Sequence, residues 1–241
     1  ASDVYKRQDH RWAQAGAAMT IGGSARERYG EAVRPADLMV VILAGGEGRR
    51  MGGEKPLRCL GGVRLIDHAV RLARRFSDDV RVSVRDRCQI SDLDTPLLID
   101  DVSLAGPLAG LQSALVAAVE ARHRSVLAIP CDAPFLPSDL AARLGAASAP
   151  AVLAADRARL QPACSWWAVE ILHEMTAYLA TGRRSLLGFA EAVGYVAVRW
   201  SDEHFVNVNT IDELVQAERR PASEVENLNE RTGFQRDAPG P

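Results

Sequence analysis

The sequence of 241 residues contains no apolar run approaching the roughly 18 residues that a membrane-spanning helix needs. Positive charge is not in excess either: the formal net charge is −2, so no global basic field attracts nucleic acid. We therefore predict no membrane span and no nucleic-acid partner. With 47% hydrophobic and 25% charged residues, the chain can form one domain of ordinary size, with or without tails.

Cysteine is scarce, and its spacing fits no common site. Cys59, Cys88, Cys131 and Cys164 form neither a C-x-x-C pair nor a Cys/His cluster, and the five histidines are equally dispersed. This pattern argues against structural zinc and against a disulfide framework. We predict reduced, buried thiols in a cytoplasmic protein.

Two common phosphate-binding motifs are missing as well. A Walker A loop requires G-x-x-x-x-G-K-[ST], but here Lys55 is followed by Pro56. The dinucleotide fingerprint requires G-x-G-x-x-G, but Gly46, Gly48 and Gly52 are spaced G-x-G-x-x-x-G. On motif grounds, the chain is neither a P-loop ATPase nor a nicotinamide dehydrogenase.

What the sequence does contain is a buried strand that runs directly into a cationic, glycine-rich loop. Residues 40–43 are all apolar, which is typical of a parallel strand covered on both faces. Glycines between 45 and 53 allow successive N–H groups to converge on an anion, and Arg49, Arg50 and Lys55 add three cations. Such a loop suits a triphosphate. The alternative is a surface turn that binds nothing.

An aspartate stands at the end of a second apolar strand. Residues 125–129 predict a central strand, and Asp132 follows it between Pro130 and Pro134. The carboxyl end of a central strand is where doubly wound sheets bind ligands. A carboxylate there can hold Mg²⁺ together with phosphate oxygens and water. The alternative for Asp132 is a helix cap or a turn former.

Further along the chain, three features have both a structural and a functional interpretation. A helix is predicted over 106–122, and its first N–H groups either face an anion or form an ordinary helix start. Trp166 and Trp167 are predicted to be core residues rather than the lining of a heterocycle pocket. Thr210 and Glu213 hold the two positions of a capping box that opens a final helix.

Predicted strands alternate with predicted helices, which favours a three-layer, Rossmann-like α/β fold with a mostly parallel sheet in a single domain. We expect this domain to span residues 38–218. Residues 1–37 have no helical or strand period and no secretory signal, so we expect disorder or a non-native extension there. The polar composition of residues 219–241 predicts a disordered tail.

Several blocks of the chain, taken in order, resemble the molybdenum cofactor guanylyltransferase family of the nucleotidyltransferase superfamily. The opening resembles L-A-G-G-x-S-x-R-M-G-x-x-K, with Gly48 where the family often has serine and Glu54 where aspartate is common. Any one block is weak, but the ordered set is specific and covers about residues 38–218. The remaining blocks are 106–110, 130–134, Gln161 with Pro162, and 207–210.

The resemblance implies transfer of GMP from GTP to molybdopterin that carries molybdenum, with release of pyrophosphate and with Mg²⁺ as cofactor. Proteins that mature molybdoenzymes are a further expected partner. It also implies catalytic roles for Arg50, Lys55 and Asp132, with Asp132 as the metal ligand. The expected GTP contacts are Leu43, Ala44, Gly45, Gly46, Lys55, Ser83, Asp100, Asp101 and Asp132.

Three of the expected contacts carry a reservation. Ser83 stands where the family often has asparagine. On the molybdopterin side the resemblance implies Asn207 and Asn209, although either side chain could instead bond backbone.

Two other functions compete with this hypothesis. One is a related nucleotidyltransferase that uses CTP or acts on a sugar phosphate. The motif Ala44-Gly45-Gly46 resembles the guanylyl members more closely, because cytidylyl relatives tend to have Ala-Ala-Gly. The other is a non-catalytic, nucleotide-binding regulator. The presence of both Lys55 and Asp132 argues against the regulator, since a mere binder could lose the metal ligand.

Overall fold

The computed structural model describes residues 37–45, 55–90, 92–101, 103–104, 106–200 and 204–219. Within these residues the strands are β1 (Leu38–Leu43), β2 (Cys59–Leu60), β3 (Val63–Arg64), β4 (Asp79–Val84), β5 (Leu97–Ile99), β6 (Ser125–Pro130), β7 (Ala151–Ala155), β8 (Leu160–Ala168) and β9 (Tyr195–Arg199). The α-helices are α1 (Leu65–Ala73), α2 (Pro107–Glu120), α3 (Leu140–Gly145), α4 (Leu172–Ala180), α5 (Leu186–Val193) and α6 (Ile211–Glu218). Short 3-10 turns lie at Lys55–Leu57, Arg87–Ile90 and Val169–Ile171.

Seven of these strands form one sheet in the order β5-β4-β1-β6-β8-β7-β9, with β6 in the middle. Four neighbouring pairs are parallel, and only the two pairs that involve β8 are antiparallel. The prediction of a mostly parallel α/β sheet is therefore confirmed. Because β8 alone is reversed, the other six strands of this sheet end at the same edge, which we call the carboxyl rim.

Strand β1 is fully apolar because helices cover both faces of the sheet. Val40 and Ile42 face α1 and α3, whereas Met39 and Val41 face α2, α4 and α5. All four of these side chains have no exposed surface. Burial on both faces is what selects a run of apolar residues rather than an alternating pattern. It fixes the end of β1, and hence the start of the glycine-rich loop, at the carboxyl rim.

The last helix is attached separately from the main core. Four buried residues, Leu60, Leu65, Val208 and Ala217, form a small cluster that we call the C-terminal anchor. The anchor joins α6 and the segment before it to the β2–β3 hairpin and the start of α1. The predicted capping box of α6 is confirmed. An eight-residue helix is marginal in isolation, so packing and caps hold it in place.

Some sequence predictions were wrong in detail. The sequence of residues 55–62 indicates a plain connector, but in the structure the stretch contains β2 and the turn of a hairpin. The apolar period over residues 65–76 predicts a helix of that length, but the helix ends at Ala73, although Phe76 remains buried. Of the cysteines expected to be buried, Cys59 and Cys88 are exposed because they lie on a two-residue strand and on a surface 3-10 turn.

The predicted burial of Trp166 and Trp167 in the core is confirmed. The four cysteines are unpaired. No helix in the part of the chain that the structure describes is long and apolar enough to cross a bilayer. The predictions for residues 1–37 and 219–241 fall almost entirely outside the described residues.

We predict that His68 makes stability depend on pH. Its Nε2 lies 3.0 Å from the carbonyl oxygen of Leu60, and its Nδ1 is buried without a hydrogen-bond partner among the described residues. Burial lowers the pKa of His68 below its ordinary 6.5, so the unfolded chain binds the proton more readily. Stability should therefore fall as the pH drops from 6.5 through the lowered pKa, by about 1.4 kcal/mol per unit of lowering.

Chemical unfolding measured from about pH 8 to about pH 5 tests this, because the slope of the free energy of unfolding against pH reports how many protons are taken up on unfolding. His68→Gln retains a side-chain donor and should flatten the slope below pH 6.5. His173→Gln is the matched control, since His173 is exposed. Equal slopes in wild type and His68→Gln would contradict the prediction.

Candidate active site

Lys55 and Asp132 meet at the carboxyl rim. Lys55 opens the 3-10 turn after the glycine-rich loop, and Asp132 follows the central strand β6. The ammonium of Lys55 donates to Oδ2 of Asp132 in an ion pair. The two side chains are only 15% and 13% exposed. The sheet thus joins the two residues on which the sequence hypothesis depends, while their catalytic roles remain predictions.

A third side chain completes this group. Oδ1 of Asn209 accepts a hydrogen bond from Nζ of Lys55 at 2.7 Å. The backbone N of the preceding Val208 donates to the carbonyl oxygen of Asp132 at 2.8 Å. The carboxamide of Asn209 thus bonds a side chain at the rim, and its molybdopterin contact stays a sequence prediction. Asn207 lies half-buried in the same segment.

The end of β1 is held by its neighbours on either side. Ala44 donates its N–H to Ser83 at 3.0 Å, and Cys131 donates to the carbonyl oxygen of Leu43 at 3.3 Å. Nε2 of Gln89 donates to the carbonyl oxygen of Ala44 at 2.7 Å. These contacts fix the entry to the loop. Sequence reasoning missed Gln89, which lies on a short surface turn and carries no periodic signal.

Asp100 lies against Gly45, at the start of the loop. Oγ of Ser83 donates to Oδ1 of Asp100 at 2.7 Å, and both residues are buried. A Cβ on Gly45 would lie 2.6 Å from Oδ2 of Asp100, so only glycine lets the backbone approach this closely. Burial raises the pKa of Asp100. Asp101 is exposed, and its carboxylate accepts from the backbone N of Ser103.

Helix α2 begins beside this contact. A Cβ on Gly110 would lie 2.2 Å from Oγ of Ser83 and 2.9 Å from Cδ2 of Leu43. The glycine therefore lets the first turns of the helix press against the ends of β1 and β4. The sequence block 106–110 thus has a packing role at the rim, next to two of the predicted GTP contacts, Leu43 and Ser83.

The chemistry around Asp132 is that of oxygen and charge, not of thiols. The neighbouring Cys131 is buried, and burial raises the pKa of its thiol to about 12, with the Asp132 charge adding to the rise. Its thiol is therefore protonated and unreactive at neutral pH. Within the described ranges, no three His, Cys, Asp or Glu side chains cluster in a way that would hold a metal. Among the described residues, Asp132 is thus not part of such a cluster.

Two predicted site residues cannot be placed. Arg50, expected to be catalytic, and Gly46, an expected GTP contact, lie in 46–54, outside the described residues. The described ends of that segment, Gly45 and Lys55, are both at the rim. The contributions of Arg50 and Gly46 stay sequence predictions.

The fold and the site together define an α/β nucleotidyltransferase, in which a strand-end carboxylate meets the lysine of a glycine-rich loop. The chain belongs to the MobA-like NTP transferase domain family, whose model matches residues 40–195.

Relatives and a solved structure agree with this assignment. The molybdenum cofactor guanylyltransferase of Cereibacter sphaeroides is 36% identical over 185 residues, which cover 75% of this chain and 95% of that protein. The enzyme of the same name from Acidiphilium cryptum is 38% identical over 187 residues, covering 75% and 94%. The crystal structure of molybdopterin-guanine dinucleotide biosynthesis protein A from Archaeoglobus fulgidus matches with a TM-score of 0.64. It is 25% identical and covers 75% of this chain and 96% of that one.

We predict that Gly110→Ala destabilises the protein, although alanine is the better helix former by about 1 kcal/mol. The added Cβ would overlap Oγ of Ser83, a short side chain already engaged by Asp100. Overpacking of this kind costs about 1–3 kcal/mol. Urea unfolding measures the change, and Ser113→Ala on the same helix is the control. A Gly110→Ala protein more stable than wild type would show that the helix does not press on the rim.

Proposed function

We propose that this chain transfers GMP from GTP to molybdopterin that carries molybdenum, giving the guanine dinucleotide form of the cofactor and pyrophosphate. Family membership and the names of the relatives support the activity. The observation that carries the assignment to this site is the convergence of Lys55, Asp132 and Asn209 at the carboxyl rim.

The reaction requires neutralisation of the negative charges of its two substrates rather than a general base. The attacking group is the terminal phosphate of molybdopterin, which is already ionised at neutral pH. One of its oxygens bonds to the α-phosphorus of GTP. The bond from that phosphorus to the oxygen bridging to the β-phosphate breaks, and pyrophosphate leaves with the electron pair. Holding two anions in line, and neutralising them, is what the site must supply.

Lys55 is placed to neutralise the phosphates of GTP. Its ammonium lies on the rim directly after the glycine-rich loop, whose N–H groups would cradle the same phosphates. Arg50 would add a second cation from within the loop. The remaining nucleotide contacts are proposed at the end of β1, at Leu43, Ala44, Gly45 and Gly46, and beside it at Ser83, Asp100 and Asp101. Asn207 and Asn209 would face the molybdopterin side.

A divalent metal is general among nucleotidyltransferases, and we propose Mg²⁺ on Asp132. The donor set fits: two oxygens, Oδ2 of Asp132 and Oδ1 of Asn209, already converge on one cation, the ammonium of Lys55. A single carboxylate completed by substrate phosphates is how Mg²⁺ is usually held. When bound, the ion would cancel charge between the two anionic substrates.

Proteins that mature molybdoenzymes are the proposed further partners, since the product must be delivered into an apoenzyme. The cytoplasm is the proposed location, and residues 38–218 are the proposed functional unit.

We predict that GTP is the preferred donor. Purified protein is incubated with Mg²⁺, molybdopterin carrying molybdenum and each of the four NTPs in turn, and pyrophosphate and dinucleotide are quantified. A pocket that hydrogen-bonds guanine should prefer GTP over CTP by about 10²-fold or more in kcat/KM, because the wrong base leaves buried polar groups unpaired. Equal turnover with CTP would overturn the base assignment, and no pyrophosphate with any NTP would favour the non-catalytic regulator.

We predict that Asp132→Asn lowers turnover by at least about 10²-fold, because an amide of the same shape supplies no charge to a metal ion. The variant should still fold, since the isosteric amide oxygen can accept from Lys55, although its melting temperature should fall because the buried ammonium loses its counter-charge. Turnover is therefore compared well below that melting temperature. Asp139→Asn is the matched control; Asp139 is about half exposed, and its Oδ1 accepts from Trp200. Wild-type turnover in Asp132→Asn would remove this residue from the mechanism.

A further inference from the structure

We infer that Glu213 is a positioning residue for this reaction, which acts on the site through Asn209. The carboxylate of Glu213 is one half of the capping box of α6. It accepts from the backbone N of Thr210 at 3.0 Å, as a capping box requires. The same oxygen, Oε2, also accepts from the backbone N of Asn209 at 2.6 Å. This second bond is not part of a capping box. It holds the backbone of Asn209, whose side chain bonds Lys55.

Three successive residues are thus fastened at the backbone. Val208 is tied to Asp132 by its N–H and is fully buried in the C-terminal anchor. Asn209 and Thr210 are both tied to Glu213. The carboxamide of Asn209 is therefore presented to Lys55 by a peptide that cannot rotate freely. Without the Glu213 carboxylate, Asn209 loses the hydrogen bond of its backbone N and keeps the bond of its side chain to Lys55. Among these contacts, the segment's backbone is then bonded to the site only through Val208.

Because the chain has only two lysines, the contact between Asn209 and Lys55 can be measured by chemical labelling of amines. Among 29 basic residues the sequence has two lysines, Lys6 and Lys55, and all the others are arginine. An amine-directed reagent therefore reports on Lys55 with Lys6 as an internal reference. An ammonium must give up its hydrogen-bond partners to react, so Lys55 should be acetylated slowly while Asp132 and Asn209 both hold it.

The inference rests on the proposed function, and the experiment has one readout that does not. Four single variants, Glu213→Ala, Glu213→Gln, Thr210→Ala and Asn209→Ala, and the double variant Glu213→Ala/Asn209→Ala are treated with an N-hydroxysuccinimide ester of acetic acid. The Lys55 to Lys6 labelling ratio is followed by mass spectrometry, and kcat and KM for GTP are measured in parallel.

In Glu213→Ala we expect the labelling ratio to rise about fivefold or more, and kcat to fall about tenfold with a smaller change in KM. Glu213→Gln should restore both, since an amide oxygen can accept the same two N–H groups. Thr210→Ala removes the other half of the capping box and weakens α6 similarly. It leaves the bond from Asn209 to Glu213 in place, so both readouts should stay within about twofold of wild type.

A purely structural role predicts the opposite pattern. Equal changes in Glu213→Ala and Thr210→Ala would overturn the inference. So would a Glu213→Ala change of undiminished size in an Asn209→Ala background, because residues that act through one another are not additive. If Glu213→Ala does not fold, Glu213→Asp, whose carboxylate is one methylene shorter, provides the same comparison. If the wild type transfers no GMP, the proposed function fails, while the labelling ratio still decides the role of Glu213.

Discussion

The ion pair of Lys55 and Asp132 is the constraint on which the rest of the site depends. Both side chains are largely removed from water, and two charges in that position are costly to bury unless each has good partners. Here the partners come from distant parts of the chain: Asn209 bonds the ammonium, and Val208 bonds the backbone of the aspartate. A cation and an anion are thus held where the proposed anionic substrates and a metal ion would bind.

The architecture explains how such a pair can form. β6 is the middle strand of seven, so its carboxyl end is flanked on one side by the end of β1. The chain lies at the rim again at Lys55, and the β2–β3 hairpin that follows contributes Leu60 to the C-terminal anchor. The reaction needs no activated serine, cysteine or histidine, and the buried thiol beside Asp132 is correspondingly inert. A site built on fixed charges requires rigid positions more than reactive groups.

Sequence reasoning succeeded where the signal is local. The strand at Leu38–Leu43 and the cap at Thr210 follow from a run of apolar residues and from a fixed spacing. The meeting of Lys55 with Asp132 was also predictable, because parallel strands end at a common edge. The bond from Glu213 to Asn209 was not, because the capping pattern accounts for one acceptor bond and gives no sign of a second. The reversed direction of β8 and the hydrogen bond of Gln89 to Ala44 were not predictable either. Both depend on contacts between residues far apart in the sequence, which no local pattern encodes.

The order of the site residues along the chain has a consequence for synthesis. Lys55 precedes Asp132 by 77 residues and Asn209 by 154. At a translation rate of about 5–20 residues per second, Asn209 is added roughly 8–30 s after Lys55. A nascent chain can therefore pair its first strands long before Asn209, the last hydrogen-bond acceptor of Lys55, has been synthesised. A chain truncated before Val208 would contain the residues of all seven strands of the sheet but would lack the segment that bonds Lys55 and Asp132.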